Sequence, residues 1–276
     1  MLRLPARARG LRGEIWRALR ATSLPARARG DLVGLALAKR VSPPIEWQVH
    51  LPLGVLYLSG SSLREDTEVL YEVLGGEIYK TRYEGAVVVD VGAHRGYYGT
   101  YALWRGARAV FSYEPEANNY ASLTRAADRL RRDGRDWRTY HAAVSSARGR
   151  ATLHITNESW THTLLDPGVA TGAQEVSVVA MADVLSLAGA AARPVTAPVI
   201  VKVDVEGGEC SIVLDTPLSS WQGVAELFVE VHVSAPCGRD AIVTYLDRAG
   251  LAYRETRAEY PENALLVFRQ RRPSPA

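Results

Sequence analysis

The chain has 276 residues, 47% of them hydrophobic and 23% charged, with a net charge of +3. That length fits one large domain or two small ones, and the apolar share supplies a packed core, which excludes a disordered or low-complexity chain. The charge is uneven: residues 1–40 hold nine Arg and one Lys against Glu14 and Asp31, a local net of +8, so the remainder carries −5. A mildly acidic body argues against nucleic acid as the main partner. No run of about 18 apolar residues occurs, so no membrane span is expected. Cys210 and Cys237 lie 27 residues apart and make no C-x-x-C pair, which predicts a reducing cytoplasm and no disulfide framework.

In chain order, residues 1–40 read as a basic helical extension in two pieces broken near Pro25, and 41–44 as a linker. A strand or hairpin arm follows over 50–59, then a helix over 65–74 stopped by Gly75-Gly76. Residues 1–80 thus form an N-terminal extension, suited to a substrate lid or an oligomerisation element such as a homodimer contact. From 81 to 272 the pattern changes to strands alternating with helices. Core strands are predicted over 87–91, 109–113, 137–144, 199–203 and 225–233. Helices are predicted over 97–105, 118–132, 181–188, 210–214 and 240–249. Two further strands, 151–156 and 175–180, bracket a polar, aromatic loop over 157–172. A final hairpin, 252–259 and 264–269, brings the last strand in antiparallel. This is the pattern of an α/β, mostly parallel, doubly wound sheet, whose ligands sit at the carboxyl ends of the strands.

The first core strand ends in Asp90 and runs into a glycine turn, Gly92 to Gly96. Twenty-two residues past Gly92, the second strand ends in Glu114. An acid there offers two oxygens to the two hydroxyls of a ribose. The dinucleotide fingerprint needs a second glycine where the backbone nears a pyrophosphate, and His94 stands there instead. An adenosine ligand without phosphates fits better, and S-adenosylmethionine (SAM) is one. Asn119 can cap the next helix, and the small residues Ala142 and Ala143 leave room for a flat adenine.

A second constellation is Asp204, Glu206, Glu230 and His232. Each pair is spaced i, i+2 at the end of a strand, so each faces one side. If the two strands are neighbours, four polar groups converge. They suit a general base, with His232 or a carboxylate taking a proton, or a hard-cation site, Mg²⁺ for instance. Trp160, His162 and Thr163 are secondary candidates for lining the pocket. The phosphate-loop, nucleophile-elbow and HExxH signatures are absent.

Five stretches together resemble the FkbM family of SAM-dependent methyltransferases: Val88-Val-Asp-Val-Gly-Ala-His-Arg-Gly96, Tyr113-Glu-Pro-Glu-Ala-Asn-Asn-Tyr-Ala-Ser-Leu123, Ala142-Ala-Val-Ser145, Val201-Lys-Val-Asp-Val-Glu-Gly-Gly-Glu209 and Leu227-Phe-Val-Glu-Val-His232. They span roughly 85–270. The resemblance implies a class I methyltransferase fold with a seven-stranded, Rossmann-like sheet. It also implies O-methylation of a hydroxyl on a sugar, polyketide or other small molecule. For SAM it implies Asp90, Gly92 and Glu114; from the residues themselves, His94, Gly96, Asn119, Ala143 and Asp204 join that set. His94 departs from the Asn usual in the family. The alternatives are a non-catalytic binding protein of the same fold and an NAD-linked oxidoreductase.

Overall fold

The computed structural model describes residues 14–15, 18–19, 24–41, 47–58, 63–259 and 263–271, in two compact units, Met1–Lys80 and Thr81–Ala276. Most of the first predicted helical piece and residues 42–44 of the predicted linker lie outside the described residues, while Val41 ends a helix. Among the described residues no helix is long and apolar enough to cross a membrane.

In the first unit, helix α1 (Ala26–Val41) begins directly after Pro25. It buries Leu32, Leu35 and Ala36, the i, i+3, i+4 face of a helix. Strands β1 (Trp47–Leu51) and β2 (Gly54–Leu58) form an antiparallel hairpin. Asp31 ties it to α1: its carbonyl accepts from Trp47 Nε1 at 2.9 Å and its Oδ2 accepts from the His50 backbone N–H at 2.8 Å. Helix α2 (Leu63–Leu70) continues into a wider π turn over Tyr71–Gly75.

The second unit is built on a seven-stranded sheet. Its parallel strands are β3 (Val87–Val91), β4 (Ala109–Tyr113), β5 (Asp136–Tyr140), β9 (Val199–Val203) and β10 (Val224–His232). Strands β11 (Leu251–Glu259) and β12 (Asn263–Gln270) complete it, in the order β11-β12-β10-β9-β3-β4-β5. Strands β3, β4 and β9 are buried at every residue, which is why they read as near-continuous apolar runs. Their three polar residues share one register: Asp90 lies opposite Ser112 on one side and Lys202 on the other. The strand order reverses between β3 and β9, so the loops after them diverge and open a crevice.

Connecting helices are α3 (Tyr97–Trp104), α4 (Ala117–Arg132), α5 (Met181–Ala192), α6 (Glu209–Leu214) and α7 (Gly238–Arg248). As predicted, α4 turns Leu123, Ala127 and Leu130 inward.

Two expectations need correction. The single strand predicted over 137–144 is two strands. After Tyr140, His141 stacks on Tyr120 with ring centroids 4.5 Å apart and takes the chain out of the sheet. Strand β6 (Ala143–Ser145) then pairs with β8 (Gly172–Ala180), which also pairs with β7 (Gly149–Ile155), making a separate three-stranded sheet. The cysteines are the second correction: Cys210 and Cys237 form a disulfide. Cys210 opens α6 after β9, and Cys237 caps α7 after β10. Because β9 and β10 are neighbours, their Cα atoms come 5.7 Å apart, inside bridging range. The cysteine count therefore gives no ground for a reducing compartment.

Candidate active site

The carboxyl ends of β3, β4, β9 and β10 meet at the crevice. The first wall is the turn after β3. A Cβ built on Gly92 would stand 1.7 Å from the Asp204 carbonyl oxygen, so only glycine lets this turn pass the end of β9; its φ of +76° also favours glycine. His94 has a φ of +50°, strained for a residue with a side chain. Its backbone N–H donates to Glu114 Oε2 at 2.7 Å, and the Glu116 N–H donates to Oε1 at 2.9 Å. Burial pushes the Glu114 carboxyl up to about 8 against these two donors. The glycine turn and the predicted ribose acid thus form one unit.

Several predicted cofactor residues have other partners. Asp90 has no exposed surface: its Oδ2 accepts from Ser112 Oγ at 3.2 Å and its Oδ1 faces Lys202 Nζ at 3.5 Å. Burial raises its pKa and Lys202 pulls it back. Gly96 caps α3. Asn119 is buried, with Oδ1 accepting from Arg95 Nε at 3.2 Å and Nδ2 donating to the Ser159 carbonyl at 2.8 Å. Ala143 lies in a small apolar cluster with Leu153, Val176 and Val178, because β6 has left the main sheet.

The loop over 157–172 reaches back to this wall. Ser159 Oγ lies 2.9 Å from His94 Nε2, and Thr163 Oγ1 donates to the Glu206 carbonyl at 2.7 Å. His162 Nδ1 accepts from the Thr156 backbone N–H at 3.2 Å, which occupies that nitrogen inside the loop. Trp160 is half-buried in the same loop. Burial holds the His94 imidazole neutral, well below its ordinary pKa.

The second wall is the predicted constellation, and the structure brings its four members together. Ligand atoms of Asp204, Glu230 and His232 lie within 4.8 Å of one another. Glu230 Oε1 accepts from Asn263 Nδ2 on β12. His232 is 8% exposed, with Nε2 3.3 Å from Glu206 Oε2 and Nδ1 2.9 Å from Glu209 Oε1. Glu209 is wholly buried and also accepts from the Gly207 N–H at 3.0 Å. Glu206, with a φ of +55°, is strained like His94.

This arrangement turns one expectation around. Burial alone would lower the His232 pKa, but the carboxylates of Glu206 and Glu209 outweigh it and push it up to about 12. His232 is therefore held as an imidazolium, with no room for another proton. A cation bound by Asp204, Glu230 and His232 would displace that proton. The group poised to change protonation is Glu206, raised by burial and partly restrained by His232.

Sequence reasoning missed two members. Glu209 falls inside the quoted motif, yet nothing in its spacing tells that it grips His232. Lys202, 5% exposed, bridges Asp90 and Asp204 and donates to the Gly92 carbonyl at 2.7 Å. A lysine in the middle of a valine-rich strand is the one signal that pointed to it.

Residues 90–251, more than half of the chain, match the family described as the Methyltransferase FkbM domain. No curated protein sequence matches the chain. Among solved structures it is similar to the methyltransferase FkbM from Methylobacillus flagellatus KT, at 14% identity and a TM-score of 0.45, covering 91% of this chain and 57% of that one. It is also similar to the SAM-bound magnesium protoporphyrin IX methyltransferase of Synechocystis PCC 6803. That match has 10% identity and a TM-score of 0.37, covering 93% and 90% of the two chains. The ribosomal protein L11 methylase from Lactobacillus delbrueckii subsp. bulgaricus matches at 10% identity and a TM-score of 0.40, covering 77% and 82%.

Proposed function

This chain belongs to the FkbM methyltransferase family, and from that premise we propose that it moves a methyl group from SAM to a hydroxyl of a small molecule or glycan. The observation that carries the proposal is the pairing of two walls across one crevice. One holds a buried acid, Glu114, at the end of β4. The other holds the Glu206–His232–Glu209 chain at the ends of β9 and β10. The wall residues fit the donor's charge: SAM is cationic, and the Asp204 and Glu230 carboxylates stand partly open at the crevice.

SAM, when bound, supplies a methyl group on a sulfonium. The chain's own residues supply the rest. Glu114 receives the ribose hydroxyls, its two oxygens suited to both. Asp204 offers negative charge to the donor's cationic centres. Glu206 takes the acceptor's proton as the oxygen bonds to carbon. His232 carries a proton throughout and steadies the Glu206 carboxylate from behind, with Glu209 holding the imidazolium in turn. The loop over 157–172, joined to both walls through Ser159 and Thr163, excludes water. An acidic crevice disfavours phosphorylated acceptors and nucleic acid. Residues 1–80 carry none of these groups, and we assign them to substrate cover or self-association.

Calorimetry of the full chain with SAM, S-adenosylhomocysteine and NAD tests the donor. Micromolar binding of the first two and none of NAD supports the proposal; NAD binding alone overturns it. Transfer of label from methyl-labelled SAM to a hydroxylated acceptor panel then tests the reaction. Label arriving only on nitrogen or carbon would overturn the O-methylation assignment.

A further inference from the structure

Lys202 has no task in the reaction as set out above, yet much of the crevice is arranged around it. Its side chain is 6% exposed. Its Nζ lies 3.2 Å from Asp204 Oδ2 and 3.5 Å from Asp90 Oδ1, and it donates to the Gly92 carbonyl at 2.7 Å. These partners come from the end of β9, from β3 and from the glycine turn. The Tyr98 ring of α3 is 6.0 Å from Nζ. In the sheet, Lys202 stands in register with Asp90, which stands in register with Ser112. Other charged groups near it are Glu230 of β10 and Glu114 at the end of β4.

Accessibility decides what this row can do. Asp90 is sealed, so it cannot touch a ligand. The Asp204 side chain is 25% exposed and is the open end of the row. Lys202 is the cation that stands between the two carboxylates, and Asp204 is the one of them that reaches the crevice, with His232 on its other side. The hydrogen bond to Gly92 couples the same lysine to the turn that carries His94 and, through its N–H, Glu114.

We propose that Lys202 is the positioning residue of the methyl-donor site: it clamps the Gly92 turn to the end of β9 and holds the Asp204 carboxylate toward the cationic donor, without touching the donor itself. This rests on the assignment of SAM as donor. Lys202 is the only element of the row that can serve both purposes, because it alone contacts both strands and the turn.

The test is calorimetric SAM affinity of the full chain at pH 7.5 for the wild type, Lys202→Met and Lys202→Arg, with circular dichroism to verify folding. Lys202→Met, which loses the contacts to Asp90, Asp204 and the Gly92 carbonyl, is expected to bind SAM about 30-fold more weakly than wild type. Lys202→Arg, which keeps the charge and the donors, is expected to stay within about tenfold of wild type. A folded Lys202→Met with wild-type affinity overturns the proposal. So does a deficit that Arg does not reduce, since that marks a lysine needed only for packing. Should Lys202→Met not fold, Lys202→Arg decides, and a folded Arg variant with no SAM binding overturns it. Wild type failing to bind SAM would overturn the donor assignment itself, and the proposal with it.

Discussion

Nδ1 of His232 stands 2.9 Å from Oε1 of Glu209, a carboxylate with no exposed surface. Glu209 opens α6 and His232 ends β10, 23 positions apart, and their contact locks the start of that helix to the end of the strand. The pair holds a buried positive charge beside the crevice. The His232 pKa is raised, so its stabilising effect is fully present below the ordinary 6.5 and is lost only as the pH rises through about 12. At any usual assay pH the contact is in force.

Glu209→Gln keeps the shape and removes the charge. His232 then remains charged with one partner fewer, which is expected to cost about 2–4 kcal/mol of unfolding free energy. Urea unfolding at pH 7.5 checks this. Unchanged stability would mean that the imidazolium does not depend on Glu209.

Glu206→Gln is expected to lower kcat by about 10²–10⁴-fold, since it removes the proposed proton acceptor, and to leave SAM affinity within about threefold. Steady-state kinetics beside calorimetry separate the two effects. An undiminished kcat would move the proton transfer elsewhere.

Gly92→Ala puts a methyl group against the Asp204 carbonyl, where backbone meets backbone. Gly134 has a similar φ, +79° against +76°, but open surroundings. Gly134→Ala should therefore cost only the backbone strain, about 1 kcal/mol, and Gly92→Ala about 4 kcal/mol or more. Equal losses in paired denaturation curves would show that the close approach is not rigid.

Glu114 makes the ligand-free protein pH-sensitive. Its folded pKa lies near 8 and its ordinary value at 4.5, so the native state keeps a proton that the unfolded state has released. Stability from this group is full below about 4.5 and falls as the pH rises through about 8. The drop in Tm between pH 5 and pH 8.5 should be smaller in Glu114→Gln than in wild type, while SAM affinity falls by about 1.5–3 kcal/mol. Parallel Tm curves for the two proteins would contradict this.

The Cys210–Cys237 bridge closes a loop of 27 residues that contains the whole of β10. Cys210→Ser with Cys237→Ser is expected to lower unfolding free energy by about 3 kcal/mol, as is dithiothreitol on the wild type. A reductant without effect on Tm, with two thiols titrating in the native protein, would show that the bridge does not form in solution.

Much of this architecture is legible from residue patterns. The runs 87–91 and 199–203 are apolar because helices cover both faces, and the distance from Gly92 to Glu114 is one strand–helix–strand unit. The i, i+2 spacing of Glu206 and His232 with their neighbours also pointed to convergence. What was hidden depends on strand order and register. Lys202 is meaningless until β9 lies beside β3, and Cys210 is distant from Cys237 until β9 lies beside β10. The exit of the chain at His141 depends on Tyr120, a helix away, and no local pattern records that stacking. The charge of His232 depends on Glu206 and on Glu209, and no spacing reveals that Glu209 is buried against it.

Strand β12 lies between β10 and β11, pairing with β10 from Glu226↔Arg269 to His232↔Asn263. During synthesis β10 therefore has one bare hydrogen-bonding edge until residues 263–270 leave the ribosome, after every other strand of the sheet has been made. An apolar strand with an open edge recruits other chains. The newborn protein is most exposed to aggregation in that interval, and the strand at risk is the one that carries Glu230 and His232.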